Sequence, residues 1–464
     1  MTVQEFKKEV EGKTVAVVGI GVSNIPLIRF LVQCGARVIA YDRRRAEQLE
    51  GYEELQKLGI SFVLGENYLD SIAIEAVKVF KTPGIRFDVP ALQEAAKRGA
   101  EITSEMELFF QLCPAKILAV TGSDGKTTTT SLIYDMLTRA GYTCYLGGNI
   151  GHPLIEEVEN ICAEDMVVVE LSSFQLHTMK QSPYIAVVTN VTPNHLDWHK
   201  NFDEYVQAKK AIFVNKKDEG KVVLNFDNDV TRNFAKETAG SVFFSSKQQL
   251  QNGFCLADGK IVKMEDNKMQ RVVLETKDIY IPGLHNVENY MAAIAAVEEF
   301  VSDDIVQTTA REFKGVPHRI EFVRELDGVR YYNDSIASSP ARTTAGLQSF
   351  SQKVILIAGG YDKKIPFDDF GNVVNEHVKS LVLVGVTSEK IETAVKNAEN
   401  YCGLPIYLCS EFKEAIDKAR EVAKEGDIVL LSPACASFDL FKNFEVRGNT
   451  FKEIVLAYHM ISSY

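Results

Sequence analysis

The chain is predicted to fold as three consecutive α/β domains, and three observations predict it. Short apolar runs recur with helical stretches between them, the pattern of buried strands alternating with helices. At 464 residues the chain is too long for one hydrophobic core. One of the apolar runs leads into a glycine-bearing turn and then into Lys and Thr at the head of a helix.

In the first domain (1–104), TVAVV at 14–18 and the runs at 37–41 and 77–80 read as strands. SEMELFFQL (104–112) reads as a helix that ends near Pro114 and bridges to a second domain (105–315). That domain opens with ILAVTG (117–122) and continues through MVVVEL (166–171), IAVVTNV (185–191) and KVVLN (221–225). FCLADGKIVKM (254–264) places Asp-Gly between β-rich arms, the signature of a hairpin. The third domain (316–464) carries VRYYND (329–334), VILIAGG (354–360), LVLVG (381–385) and DIVLLSP (427–433). No internal repeat or low-complexity linker interrupts this order.

Composition narrows the class. Hydrophobic residues are 46% and charged residues 25%, as in soluble globular proteins. A net charge of −12 argues against a nucleic-acid partner. No apolar run reaches about 18 residues, so no membrane insertion is expected. The start MTVQEFKKEVEGK lacks the apolar core of an export signal. The 8 cysteines are scattered without metal spacing and read as reduced thiols, which fits the cytoplasm.

The most informative segment is AVTGSDGKTTTTSLIYDML (119–137). Gly122, Ser123, Asp124 and Gly125 form the turn, and Lys126, Thr127 and Thr128 open the helix. Backbone N–H groups at such a helix N-terminus, helped by the dipole, bind phosphate oxygens. Lys126 can reach the β- and γ-phosphates of ATP, and the Thr127 hydroxyl can ligate Mg²⁺. The loop is not a full G-x-x-x-x-G-K-[ST], because Val120 stands at the first glycine position.

Other candidates are ambiguous by themselves. Glu170 is an acid at the end of an apolar strand, and it needs a hydrogen-bond donor or a cation. His195 lies beyond another strand, and Lys209 falls on a helical stretch, where it reads as a surface lysine. The carboxyl ends of strands in an open α/β sheet are nonetheless where ligands sit. VVGIGVSNIP (17–26) followed by Asp42 looks like a dinucleotide fingerprint, but Asn24 replaces its third glycine. Asp42 also reads as a cap or turn residue.

TGSDGKTT closely resembles the ATP loop of the Mur ligases and the folylpolyglutamate synthases, with Asp124 where those families more often carry Asn. A Glu closing a strand, an N-x-x-x-x-H-L-D segment and an A-K on the next helix follow in the Mur ligase order. The resemblance covers essentially the whole chain. It implies a Rossmann-like UDP-binding first domain, a P-loop ATPase-like central domain and a Rossmann-like C-terminal domain. It also implies a carbamylated lysine at Lys209 rather than Lys210, and two Mg²⁺ ions held by Thr127, Glu170, His195 and the carbamate.

By the same resemblance Val22, Ser23 and Asp42 face uracil and ribose. Thr82 and Gly84 of KTPGI (81–85), with Asn149, lie near the pyrophosphate and sugar. Asn286 lies at adenine, Arg319 at the ATP phosphates and Asp334 near the nucleotide, while Ile336 stands where some D-glutamate ligases carry Lys. SPACASFDLFKNFEVRGNTF (432–451) resembles the D-glutamate-adding members, with Ser437, Phe438, Phe444 and Lys363 at that amino acid. The implied reaction joins D-glutamate to UDP-N-acetylmuramoyl-L-alanine through an acyl phosphate, in a monomer. A nicotinamide-dependent oxidoreductase built on Gly19 and Gly21 leaves TGSDGKTT unexplained. A folylpolyglutamate synthase leaves SPACASFDLFKNF unexplained.

Overall fold

The computed structural model describes residues 1–459 except 50, 197, 217, 218, 239, 363 and 364. These residues form three sheets within two compact units. One unit comprises Met1–Asp278 and His285–Arg311, the other Ile279–Leu284 and Glu312–Tyr464.

The first sheet is parallel throughout, in the spatial order Ser61–Leu64, Arg37–Asp42, Thr14–Val18, Ala76–Lys81, Glu101–Thr103. Thr14–Val18 is buried at every position, as a central parallel strand must be. The second sheet has nine strands. At its working centre Lys116–Thr121 pairs in parallel with Ile185–Val188 on one side and Met166–Glu170 on the other. The loops that follow all three strands therefore open on one edge. At the far side Gly253–Ala257 and Lys260–Glu265 form the expected antiparallel hairpin. Its turn residues Asp258 and Gly259 have φ of 47° and 71°, and two left-handed residues match the twist of the arms.

The predicted bridge forms a helix over Glu105–Leu112, capped by Ser104, whose side chain accepts from Glu107 N at 3.2 Å. The helix is buried at every position except Gln111, its two glutamates included. Met106, Leu108, Phe109, Phe110 and Leu112 join Phe6, Val15 and Leu27 from the first sheet's layer to Ile117, Val169 and Ile212 from the second's. Two sheets thus share one core, which is why they lie in a single compact unit. Phe109 is completely buried there. Phe109→Ala is expected to cost roughly 3–5 kcal/mol of unfolding free energy. Urea unfolding of the variant checks this, and an unchanged midpoint would show that the bridge helix contributes little.

The third sheet runs Glu321–Leu326, Val329–Asn333, Ile428–Leu431, Val354–Ala358, Val378–Val384, Ile406–Cys409. Its first pair is antiparallel and the others are parallel. No helix among the described residues is long and apolar enough to cross a membrane. All eight cysteines are free thiols.

Candidate functional site

The strand Lys116–Thr121 delivers the chain to the phosphate loop, and two glycines there are sterically required. A Cβ on Gly122 would lie 1.9 Å from Thr189 Oγ1, and one on Gly125 would lie 2.3 Å from Asn289 Oδ1. Gly125 also has a φ of 78°. The neighbouring loop holds the turn in shape. Ser123 N donates to Asn190 O at 2.9 Å and Asp124 N to Asn190 Oδ1 at 3.0 Å. Thr189 Oγ1 donates to Asp124 O at 2.6 Å. Ser123 Oγ lies 2.9 Å from both Thr192 O and the Tyr205 hydroxyl.

Lys126 begins the helix Lys126–Arg139, and its Nζ folds over the turn to donate to Ser123 O at 2.9 Å. The first helical backbone bond runs from Thr129 N to Gly125 O. The N–H groups before it therefore point out of the helix end, where an anion is favoured. Thr127 and Thr128 are buried in that first turn. Asn286 and Asn289 sit together at the start of the helix Leu284–Val297, with Asn289 Nδ2 donating to Asn286 Oδ1 at 3.2 Å. Thr129 Oγ1 donates to Asn289 Oδ1 at 3.2 Å, which ties this pair to the phosphate-loop helix.

Glu170 ends its strand almost fully buried. Its Oε1 accepts from Asn149 Nδ2 at 2.7 Å, but its Oε2 is buried without a hydrogen-bond partner. A buried carboxylate oxygen with no donor is costly unless a cation serves it, so this site fits a divalent ion. Lys209, on the helix Phe202–Val214, is 1% exposed. Its Nζ donates to Gly122 O at 2.8 Å and to Thr121 Oγ1 at 3.4 Å, above the Tyr205 ring. Burial, and then the nearby Lys126 ammonium, hold its pKa well below the usual lysine value against the opposing pull of Asp124 and Glu170. Lys210 turns elsewhere and pairs with Glu237 at 2.5 Å. His195 lies on an exposed loop with a φ of 54°, its ring 4.9 Å from that of Phe174. Phe174 belongs to the short helix Ser173–Leu176 that follows Glu170, so the two candidate ligand loops touch through it.

In the first sheet Asp42 Oδ2 accepts from Ile20 N at 2.7 Å, and Oδ1 accepts from Arg44 N at 2.9 Å. Asp42 thereby fixes the glycine loop, and Arg44, absent from the sequence reading, completes it by donating to Ile20 O at 2.6 Å. Asn24, in place of a third glycine, donates its Nδ2 to Gly19 O at 2.8 Å and so closes the same loop. Val22 is 82% exposed beside Ser23 at the loop tip. Thr82 N donates to Val18 O at 2.8 Å, and Gly84 O accepts from Trp198 Nε1 at 3.0 Å. Nearby, His177, His199 and Glu204 bring ligand-type atoms within 4.8 Å of one another. Both oxygens of Glu204 are already engaged by Arg86, whose charge would oppose a metal ion.

The other unit holds the remaining candidates. Asp334 is buried, and its Oδ2 accepts from Ser432 Oγ at 2.7 Å. Desolvation pushes its carboxyl up to about 7, with Arg319 among the groups pulling it back. Ser437 is buried, whereas Phe438 is 64% exposed and packs edge-on against Tyr361. Phe444 starts the helix Phe444–Ala457, its ring 5.8 Å from His318. Arg447, also missed, donates to Ala436 O, Cys435 O, Ser335 O and Ser335 Oγ from a buried position. It binds the segment bearing Asp334 to the loop bearing Ser437. Lys363 lies outside the described residues.

Comparison with known proteins adds the following. The Mur ligase MurD-like N-terminal domain matches residues 13–104, the Mur ligase middle domain 120–297, and the Mur ligase glutamate ligase domain 318–435. The UDP-N-acetylmuramoylalanine–D-glutamate ligase of Acetivibrio thermocellus is 54% identical, over 97% of this chain and 98% of that protein. The protein of the same name from Clostridium novyi is 53% identical, over 98% and 99%. The crystal structure of the UDP-N-acetylmuramate–alanine ligase MurC of Thermotoga maritima superposes with a TM-score of 0.59 at 20% identity, over 96% of this chain and 99% of that one. That likeness is one of fold.

Proposed function

The chain belongs to the Mur ligase family, and from that premise we propose that it joins D-glutamate to UDP-N-acetylmuramoyl-L-alanine, converting ATP to ADP and phosphate. The full-length match at 54% identity to a ligase of that name carries the reading. The domains divide at 1–104, 105–315 and 316–464, and the protein works as a cytoplasmic monomer on small-molecule substrates, with no nucleic-acid partner.

A carboxylate is a poor electrophile, and ATP activates it. A carboxylate oxygen of the substrate's alanine attacks the γ-phosphorus, and the bond to the ADP oxygen breaks. The amine of D-glutamate then attacks the carbonyl carbon of this acyl phosphate. The tetrahedral intermediate collapses to the amide as phosphate leaves, and the amine proton passes to solvent. Phosphoryl transfer of this kind depends on positioning and charge neutralisation.

The residues divide the work. The loop Gly122, Ser123, Asp124, Gly125, Lys126, Thr127 and Thr128 cradles the phosphates, and Lys126 neutralises charge on the γ-group. Asn286 holds adenine, and Arg319 and Asp334 serve the nucleotide. Thr127, Glu170, His195 and a carbamylated Lys209 would hold two Mg²⁺ ions, which would supply further charge neutralisation. The lone Glu170 Oε2 and the depressed pKa of Lys209 support this set. A neutral lysine nitrogen can attack CO₂, form the N–C bond and lose a proton, becoming an anion suited to a cation. Val22, Ser23, Asp42, Thr82, Gly84 and Asn149 hold the UDP-linked substrate. Ser437, Phe438, Phe444 and Lys363 hold D-glutamate.

Phosphate release with ATP, Mg²⁺, UDP-N-acetylmuramoyl-L-alanine and D-glutamate, omitting each in turn, tests the proposal. Release should require all four, and equal release without D-glutamate would contradict it. Ser437→Ala should raise the KM for D-glutamate roughly ten- to a hundredfold, the worth of a hydrogen bond to a charged group. The KM for the UDP-linked substrate should stay within about threefold. Parallel rises in both would point to a folding defect instead.

A further inference from the structure

Arg86 connects two loops that the reaction needs in register. It follows the strand Ala76–Lys81 on the loop that carries Thr82 and Gly84. Its Nε and Nη2 donate to the two Asp88 oxygens at 2.9 Å, inside the same loop. Its other donors cross to the central domain. Nη1 donates to Trp198 O at 3.0 Å and to Glu204 Oε2 at 3.0 Å, and Nη2 donates to Glu204 Oε1 at 2.8 Å. All five N–H groups are thereby used, four in two forked pairs that only a guanidinium can make and the fifth on Trp198 O.

The surroundings reinforce the crossing. The guanidinium lies 4.9 Å from the centre of the Trp198 ring, and Trp198 Nε1 donates to Gly84 O at 3.0 Å. Lys200 N donates to Glu204 Oε2 at 2.7 Å, and Lys200 Nζ pairs with Asp88 at 2.9 Å. His177 and His199 close the far side of Glu204 at 3.5 and 3.6 Å. The Arg86 side chain is only 19% exposed, so this is a half-buried, charge-assisted network rather than a loose surface pair.

The elements joined matter. Trp198 follows His195 on its loop, and Glu204 sits in the first turn of the helix Phe202–Val214 that places Lys209 against Gly122 O. We infer that Arg86 is a positioning residue, whose double fork to Asp88 and Glu204 sets the loop holding the UDP-linked substrate in register with the loop and helix bearing His195 and Lys209. The inference rests on the proposed function. It requires that a shift of the substrate loop misplaces the reacting carboxylate while leaving the phosphate loop intact, and a misplacement of about 1 Å can cost roughly a hundredfold.

The test compares the full-length wild type with Arg86→Ala, Arg86→Lys, Glu204→Gln, the double variant and Asp88→Asn. Arg86→Ala and Glu204→Gln should each lower kcat/KM for UDP-N-acetylmuramoyl-L-alanine by roughly tenfold or more, while the Kd for Mg²⁺ and a non-hydrolysable ATP analogue stays within about threefold. Arg86→Lys should not recover the loss, since a point cation cannot make both forks. Methylguanidinium in the buffer should recover part of it in Arg86→Ala. The double variant should lose no more than the worse single one. Asp88→Asn, which weakens the fork within the first loop and the Lys200 ion pair but keeps the Arg86 fork to Glu204, should lose less than Arg86→Ala.

An Arg86→Ala enzyme with unchanged kcat/KM would overturn the inference, as would losses that multiply in the double variant. So would a parallel weakening of nucleotide binding with a lowered melting temperature. If Arg86→Ala does not fold, Glu204→Gln carries the same test. A wild type that does not consume the UDP-linked substrate overturns the proposed function and this inference with it. An active wild type with indifferent variants overturns this inference alone.

Discussion

Lys126→Ala is expected to abolish turnover, lowering kcat by roughly a thousandfold or more, in a protein that stays folded. The size follows from what the ammonium does. It is the charged side chain at the head of the phosphate-loop helix, and its Nζ already hangs over the turn on Ser123 O. In the reaction it faces charge that moves from the γ-phosphate toward the leaving oxygen, where a fixed cation lowers the barrier more than it lowers the ground state. Its place in the fold explains the stability. The side chain is only partly buried and fills no core position, so its loss leaves no cavity. Circular dichroism melts beside phosphate-release kinetics check both halves. A well-folded variant within tenfold of wild type would remove the phosphate-loop assignment.

Lys209→Ala should also be nearly inactive, and here the informative result is rescue. As an ammonium the side chain would repel a divalent cation, whereas a carbamate would complete the set begun by Glu170 and His195. Acetate or formate in the buffer can occupy the vacated space and return one anion. Rescue should be partial, because an untethered group lacks the positioning that supplies much of the rate. Lys210→Ala should be far milder, since Lys210 lies about 100° further round the helix and pairs with Glu237 at 2.5 Å. Activity that depends on Lys210 and tolerates loss of Lys209 would move the assignment by one residue. Failure of every small acid to rescue Lys209→Ala, in a folded protein, would count against the carbamate.

How far the sequence was legible depended on where each residue's partners lie. Strands buried on both faces, such as Thr14–Val18 and Val354–Ala358, show as unbroken apolar runs. Edge strands such as Ser61–Leu64 and Ile406–Cys409 are only partly buried and four residues long, too short for their apolar runs to stand out. The run at 185–191 is a strand only over Ile185–Val188. Thr189 and Asn190 turn their side chains to the phosphate loop instead.

The same rule governs the site. The phosphate loop is a local device of strand, turn and helix, so a short segment displays it. Tyr205 gains its meaning from Ser123, 82 positions away, and Asn289 from Thr129, 160 positions away. Nothing local in the sequence singles out Arg86, whose partner Glu204 lies 118 positions away. Asp42 reads as a ligand of the ribose, with a cap or turn residue as the alternative. The fold makes it the anchor of the glycine loop, through Ile20 N and Arg44.

In the proposed reaction this chain drives amide formation by passing the substrate's carboxylate through an acyl phosphate. The direct measurement is the fate of ¹⁸O placed in the alanine carboxylate of UDP-N-acetylmuramoyl-L-alanine. With ATP, Mg²⁺ and D-glutamate, mass spectrometry should find one ¹⁸O in each phosphate released, because that oxygen attacks phosphorus and leaves with it. The amide product should retain the other. Phosphate without ¹⁸O, formed alongside the amide or without it, would contradict the account.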